Sequence, residues 1–212
     1  MKKIAVFASG AGSNAAKIIE HLTPSYAKAS EGKPNPSPGG EGSNIAPKIE
    51  VALIVCNKPG AGVLKIAAEN NIPTLLIDKE KFFRGDGYVQ ELKERGIDFI
   101  VLAGFLWKIP SALIKAYPKK IINIHPALLP RYGGKGMYGQ FVHEAVIKNK
   151  EKESGITIHY VDELYDHGDI IFQAHCPVLK DDTAETLSNR IHLLEHQFFP
   201  KVIERVIREE NK

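Results

Sequence analysis

"KIAVFASGAGSN", residues 3–14, opens on an apolar run and ends in two glycines, a serine and an asparagine. The run lacks polar alternation, so it reads as a strand covered on both faces. The glycines mark a turn. Residues 14–22, "NAAKIIEHL", then space Ala16, Ile19 and Leu22 for one face of a helix. The alternation continues outward. Apolar runs at 49–55, 73–77, 98–103 and 120–124 predict further strands, and 62–70, 88–95 and 111–116 predict the helices between them. Strands that alternate with helices and stay apolar throughout predict an α/β fold, a Rossmann-like, mostly parallel sheet with helices on both faces. Residues 155–161, "GITIHYV", and 169–178, "DIIFQAHCPV", are strands joined by a short polar connection, which predicts antiparallel strands near the C-terminal edge. Residues 183–208 predict a last helix, capped by Thr183 and kinked or divided at Pro200.

The 212 residues fit a single domain, 1–212. Hydrophobic residues are 43% and charged residues 25%, ordinary for a chain with a substantial core. The net charge of +3 is too even to argue for nucleic-acid binding, although it leaves a local anion site open. Cys56 and Cys176 lie far apart in strand-like stretches and predict buried free thiols in a reducing compartment. No Cys/His spacing suggests a metal. The apolar run after Met1 is too short for a signal peptide, and no stretch approaches the roughly 20 apolar residues of a membrane span. These features predict a cytoplasmic protein with no membrane partner. Residues 24–47 do not belong to the pattern: five prolines, four glycines and four serines in 24 positions predict a flexible surface insertion.

Two places carry candidate chemistry. In the 8–14 loop, Gly10 and Gly12 allow positive φ and close approach, and Ser13 or Asn14 can cap a helix whose N–H groups suit a phosphate. Ala15 leaves GxGxxG incomplete, and no acidic residue follows the second strand, so a dinucleotide site is disfavoured. The loop alone does not separate a phosphate site from a tight, well-capped turn. The second place is "IINIHPALLP", 121–130. Asn123 and His125 are two apart at a strand end, so their side chains point the same way, and Pro126 stops the strand. Asp166 follows in a loop beside Gly168. Singly, these are a loop-satisfying amide, a core or surface histidine and an Asx-turn carboxylate. Together they suit acyl-like transfer, which needs an oxyanion donor, a group near neutral pKa and a carboxylate to tune it. No nucleophile elbow is present, which favours direct attack by a substrate amine.

"FASGAGSN", "VCNKPGAG", "IVLAGFLWKIP", "INIHPALLP", "GITIHYVDELYDHGDII" and "DTAETLSNRIHLLEH" occur in the order of the folate-dependent formyltransferases, which the chain resembles outside residues 24–47. "SGAGSN" favours the member that serves purine biosynthesis. That resemblance implies attack of the amine of glycinamide ribonucleotide on the formyl carbon of 10-formyltetrahydrofolate, a co-substrate, with no metal. It implies Asn123 as donor to the formyl oxygen, His125 held protonated by Asp166 to stabilise the same charge, and Asp166 as an aid to proton removal. His159 and Thr157 would support them, or simply face the core. The substrate phosphate would lie on Gly12, Ser13 and Asn14. Glu195 would meet the ribose, unless it is only a solvated helix face. Folate would lie along the backbone of Leu106, Trp107, Lys108 and Ile109, its formyl group on Asn123. Arg84 would meet its benzoyl-glutamate carboxylate, although the local spacing is off by about a residue.

The chain departs from the family where Leu106 and Trp107 replace a Met-Arg pair, so Trp107 either reshapes the folate rim or is packing. "GGKGMYG", 133–139, replaces a His-containing stretch, and His143 beyond it reads as a surface residue of the next helix. Rival functions are the formyltransferase acting on methionyl-tRNA, expected to carry a C-terminal nucleic-acid-binding domain, and a 10-formyltetrahydrofolate hydrolase, expected to carry an N-terminal regulatory domain. Neither extension is evident in the sequence. A non-catalytic nucleotide-binding protein would leave Asn123, His125 and Asp166 unexplained. The expected assembly is a monomer or homodimer.

Overall fold

The computed structural model describes residues 1–23 and 48–210; the insertion expected at 24–47 lies outside the described residues. The parallel half of the sheet comprises β1 (Lys2–Ala8), β2 (Ile49–Cys56), β3 (Thr74–Leu76), β4 (Phe99–Leu102) and β5 (Ile121–His125). Two antiparallel strands, β6 (Glu153–Tyr160) and β7 (Ile170–Pro177), complete the order β3-β2-β1-β4-β5-β6-β7. The mostly parallel Rossmann-like sheet with an antiparallel edge is therefore as the sequence predicts.

Alternate residues of each parallel strand enter different cores. Ile4, Val6 and Ala8 of β1 pack on one face with Val101, Ile122 and Ile124. Ala5 and Phe7 pack on the other with Ile100, Leu102 and Ile121. Both faces are covered, which is why the strands are apolar throughout. Helices α1 (Ser13–Leu22), α2 (Gly62–Glu69), α6 (Gln140–Lys148) and α7 (Ala184–Glu209) belong to the first face. Helices α3 (Lys79–Arg84), α4 (Val89–Glu94) and α5 (Ser111–Ala116) belong to the second.

Helix α3 was not legible as periodicity. It exists because Asp78 caps it, accepting from the N–H groups of Glu80 and Lys81, and because Phe82 anchors it in the core. Thr183 caps α7 with a reciprocal bond to Thr186, as expected. Division at Pro200 does not occur. The helix runs unbroken to Glu209, and Pro200 is buried beside Phe199, Val202 and Ile203, whose packing outweighs one missing backbone bond. Cys56 and Cys176 are free and buried.

The chain leaves β1 for β2 on one side and returns to β4 on the other. Loops beyond the carboxyl ends of β1 and β4 therefore diverge, and such a switch point is where open α/β sheets bind ligands.

Candidate active site

A cavity of about 760 Å³ opens at this switch point. Its walls bring together the loop of Gly12, the 103–109 segment, the end of β5 and the loop holding Asp166. The two strand-end loops are tied to each other. Ser9 donates its N–H to the Gly104 carbonyl at 3.1 Å, and its hydroxyl oxygen accepts from Leu106 N–H at 3.0 Å.

Gly12, φ 84°, is the N-cap of α1 and makes no side-chain cap. Ser13 and Asn14 are instead its first helical residues, a correction to their expected capping role. The first N–H groups of α1 are left free of intrahelical partners. Gly10 is not in the left-handed region, so only Gly12 needs a glycine for its conformation. The Asn14 amide turns sideways and donates to Glu195 at 2.8 Å, while its oxygen stays buried without a partner. Glu195 is buried, not a solvated helix face, and also meets His192 Nδ1 at 2.9 Å. That bond raises the pKa of His192 against the effect of its partial burial. His192, its basicity raised by Glu195, and a helix N-terminus thus share one end of the cavity.

At the other end, Asn123 and His125 lie on the same side of β5, as their spacing predicts. His159 Nδ1 faces the Tyr160 carbonyl at 2.8 Å and must be the donor, because a carbonyl only accepts. Burial lowers the pKa of His159, which favours the neutral ring. Its Nε2 is then an acceptor and takes one N–H of the Asn123 amide at 3.0 Å. The second N–H of that amide remains for a ligand.

By the same logic His125 Nε2 donates to the Tyr132 carbonyl at 2.7 Å. Its Nδ1 faces Asp166 at 3.6 Å, an ion-pair separation longer than a hydrogen bond. Asp166 has φ 53°, and its carboxylate accepts Gly134 N–H at 2.9 Å. Gly168 lets this loop close, since an added Cβ there would strike the Tyr160 carbonyl. Thr157 is paired directly opposite His125 on the neighbouring strand. Its hydroxyl donates to the Ala127 carbonyl at 2.6 Å and accepts from Leu129 N–H at 3.0 Å and Gln173 at 2.9 Å. It pins the turn that follows Pro126.

The folate-side expectations divide. Leu106, Trp107, Lys108 and Ile109 all reach the cavity wall. Leu106 N–H is already used by Ser9, so a ligand would have to use the remaining backbone groups of the segment. Trp107 does both things considered for it: it lines the cavity and packs on Phe82 and Phe83, each at 5.6 Å. Arg84 is not brought to the wall. It ends α3 with its side chain 81% exposed and its guanidinium paired with Glu80 at 3.1 Å, an i,i+4 contact along one helix. The expected surface position of His143 is also overturned, because it is 2% exposed on the cavity wall of α6. Sequence reasoning missed His192, although its place three residues before Glu195 on a helix puts the two on one face. It missed Gln173, whose pairing with Thr157 needs the β6–β7 register.

Residues 41–203 match the model of the formyl transferase family, and the chain belongs to that family. Its relatives are specific. It is 41% identical to the chloroplastic phosphoribosylglycinamide formyltransferase of Arabidopsis thaliana over all of this chain and 67% of that one. It is 36% identical to phosphoribosylglycinamide formyltransferase of Bacillus subtilis over 98% of this chain and 95% of that one. The chain spans about two thirds of the length of the plant relatives it matches. The crystal structure of phosphoribosylglycinamide formyltransferase from Bacillus halodurans superposes with a TM-score of 0.78 at 34% identity, covering 97% of this chain and 95% of that one. Among the described residues no helix is long and apolar enough to cross a membrane.

Proposed function

We propose that this chain is a phosphoribosylglycinamide formyltransferase: it moves the formyl group of 10-formyltetrahydrofolate to the amine of glycinamide ribonucleotide, with Asn123, His125 and Asp166 as its catalytic residues. The observation that carries the assignment is one cavity holding these three at one end and the N-terminus of α1 with Glu195 at the other.

The acceptor's phosphate lies on the N–H groups at Gly12, Ser13 and Asn14, where the helix dipole favours an anion and His192, its basicity raised by Glu195, stands nearby. Glu195 takes the ribose hydroxyls. The folate enters along Leu106–Ile109, its formyl oxygen toward the unused N–H of Asn123. The glycinamide amine attacks the formyl carbon, forming a C–N bond and placing negative charge on the oxygen. Asn123 donates to that charge. His125 has Nε2 committed to Tyr132, so it acts on the same charge from its Nδ1 side, which faces Asp166. The attacking nitrogen then loses a proton toward Asp166, directly or through water. The bond from the carbon to N10 breaks, and N10 takes up a proton to leave as tetrahydrofolate. Arg84 and Phe83 stand outside the cavity, and Lys108 beside Tyr165 at 5.7 Å is the cation nearer to a departing glutamyl tail.

Release of tetrahydrofolate, measured with and without glycinamide ribonucleotide, tests the assignment. Release that depends on the ribonucleotide is expected. Equal release without it would mean a hydrolase, and no release with it would refute the assigned reaction.

A further inference from the structure

Helix α6 places Val142 and Val146 in the core and, between them, the imidazole of His143. The residue is 2% exposed, and its Nδ1 is enclosed without a hydrogen-bond partner. Such an orphan costs roughly 1–3 kcal/mol, and no group of the described protein offsets it. His143 lines the cavity, which leaves Nε2 as the nitrogen that meets it. It lines the same cavity as His192 and Glu195 at the ribose end and His125 at the formyl end, and the charges of all three act on it.

Burial first, then His192, pushes the pKa of His143 down to about 4, so the ring is neutral near pH 7. A neutral imidazole has one donor and one acceptor. An enclosed N–H without an acceptor is the rarer defect, so the proton belongs on Nε2. The cavity that holds both ends of the site thus receives one uncharged donor.

We propose that His143 Nε2–H donates a hydrogen bond to the amide oxygen of the acceptor's glycinamide and so sets the position of the attacking amine. This rests on the acceptor assigned above. In that substrate the amide is the group between ribose and amine, and an uncharged donor suits a carbonyl, whereas the phosphate already has α1 and His192.

The test is steady-state kinetics of His143→Leu and His143→Gln at pH 8, with calorimetric binding of ribose 5-phosphate, which lacks the amide. His143→Leu should raise KM for glycinamide ribonucleotide about 5–15-fold, the worth of one hydrogen bond. KM for 10-formyltetrahydrofolate and Kd for ribose 5-phosphate should not change. His143→Gln, which keeps a donor, should recover most of the loss. An unchanged KM in His143→Leu, or parallel weakening of ribose 5-phosphate, overturns the proposal. If His143→Leu does not fold, an acceptor analogue with CH2 in place of the amide carbonyl makes the same deletion on the unaltered protein. Turnover of that analogue equal to the natural acceptor overturns the proposal as well. Failure of the unaltered chain to use glycinamide ribonucleotide at all would overturn the assigned reaction and this inference with it, a result distinct from every variant outcome.

Discussion

Gly12→Ala is the sharpest structural perturbation of the substrate-phosphate site. An added Cβ would stand 2.8 Å from Val63 Cβ and 2.9 Å from Val63 Cα. Non-bonded carbons prefer about 3.5–4.0 Å, so something must move by roughly 0.7 Å. Val63 has little room to yield. It is fully buried on α2, and its N–H donates to the Gly10 carbonyl at 3.2 Å. The start of α1 must therefore move. The φ of 84° adds about 1–2 kcal/mol for a residue with a Cβ, and the overlap adds about 1–3 kcal/mol. A loss of about 2–5 kcal/mol should lower Tm by roughly 5–15 °C in a chain of this size. Gly10→Ala is the control, because nothing lies within 4 Å of its Cβ and its φ is not left-handed. Scanning calorimetry should show a drop for Gly12→Ala alone. Displacing N–H donors to a phosphate, worth about 1.5–3 kcal/mol each, should raise KM for glycinamide ribonucleotide at least about tenfold. KM for the folate should stay put. Equal melting of the two variants, or an unchanged KM in Gly12→Ala, would refute the reasoning.

Asp166→Asn keeps the acceptor for Gly134 N–H but removes the charge facing His125, and turnover should fall by about 10²–10³ with the fold intact by circular dichroism. Thr157→Val should cost about 1–3 kcal/mol in urea unfolding, because buried Leu129 N–H and Gln173 lose their shared partner. Stability should fall in acid. Below about pH 6.5 the unfolded chain binds protons that His143 and His159, with lowered pKa values, refuse when folded, so the unfolded state gains. With its folded pKa near 4, His143 alone should account for about 2 kcal/mol of the loss between pH 8 and pH 5. Urea unfolding of His143→Leu at both pH values should show a loss smaller by that amount, and parallel curves would contradict it.

The sheet was legible because its signal is local. Apolar runs such as 98–103 declare two-sided burial without knowledge of their neighbours. Asn123 and His125 were legible through the strand period, which alone puts both on one side. Other features depended on groups distant in sequence. Helix α3 rests on an Asp78 cap that periodicity does not register. Glu195 is a buried acid whose amide donor, Asn14, lies 181 residues away. His143 looked like a surface residue because its neighbours in sequence do not reveal that α7 closes over α6. The orientation of His125 is set by the carbonyl of Tyr132, and a backbone acceptor leaves no mark in side-chain identity.

The most direct test of the site is the single-turnover rate of tetrahydrofolate formation by Asn123→Ala, at saturating glycinamide ribonucleotide and 10-formyltetrahydrofolate. If Asn123 is the direct donor to the developing oxyanion, the rate should fall by about 10²–10³ with substrate affinities little changed. A rate within a few-fold of the unaltered chain would contradict the account.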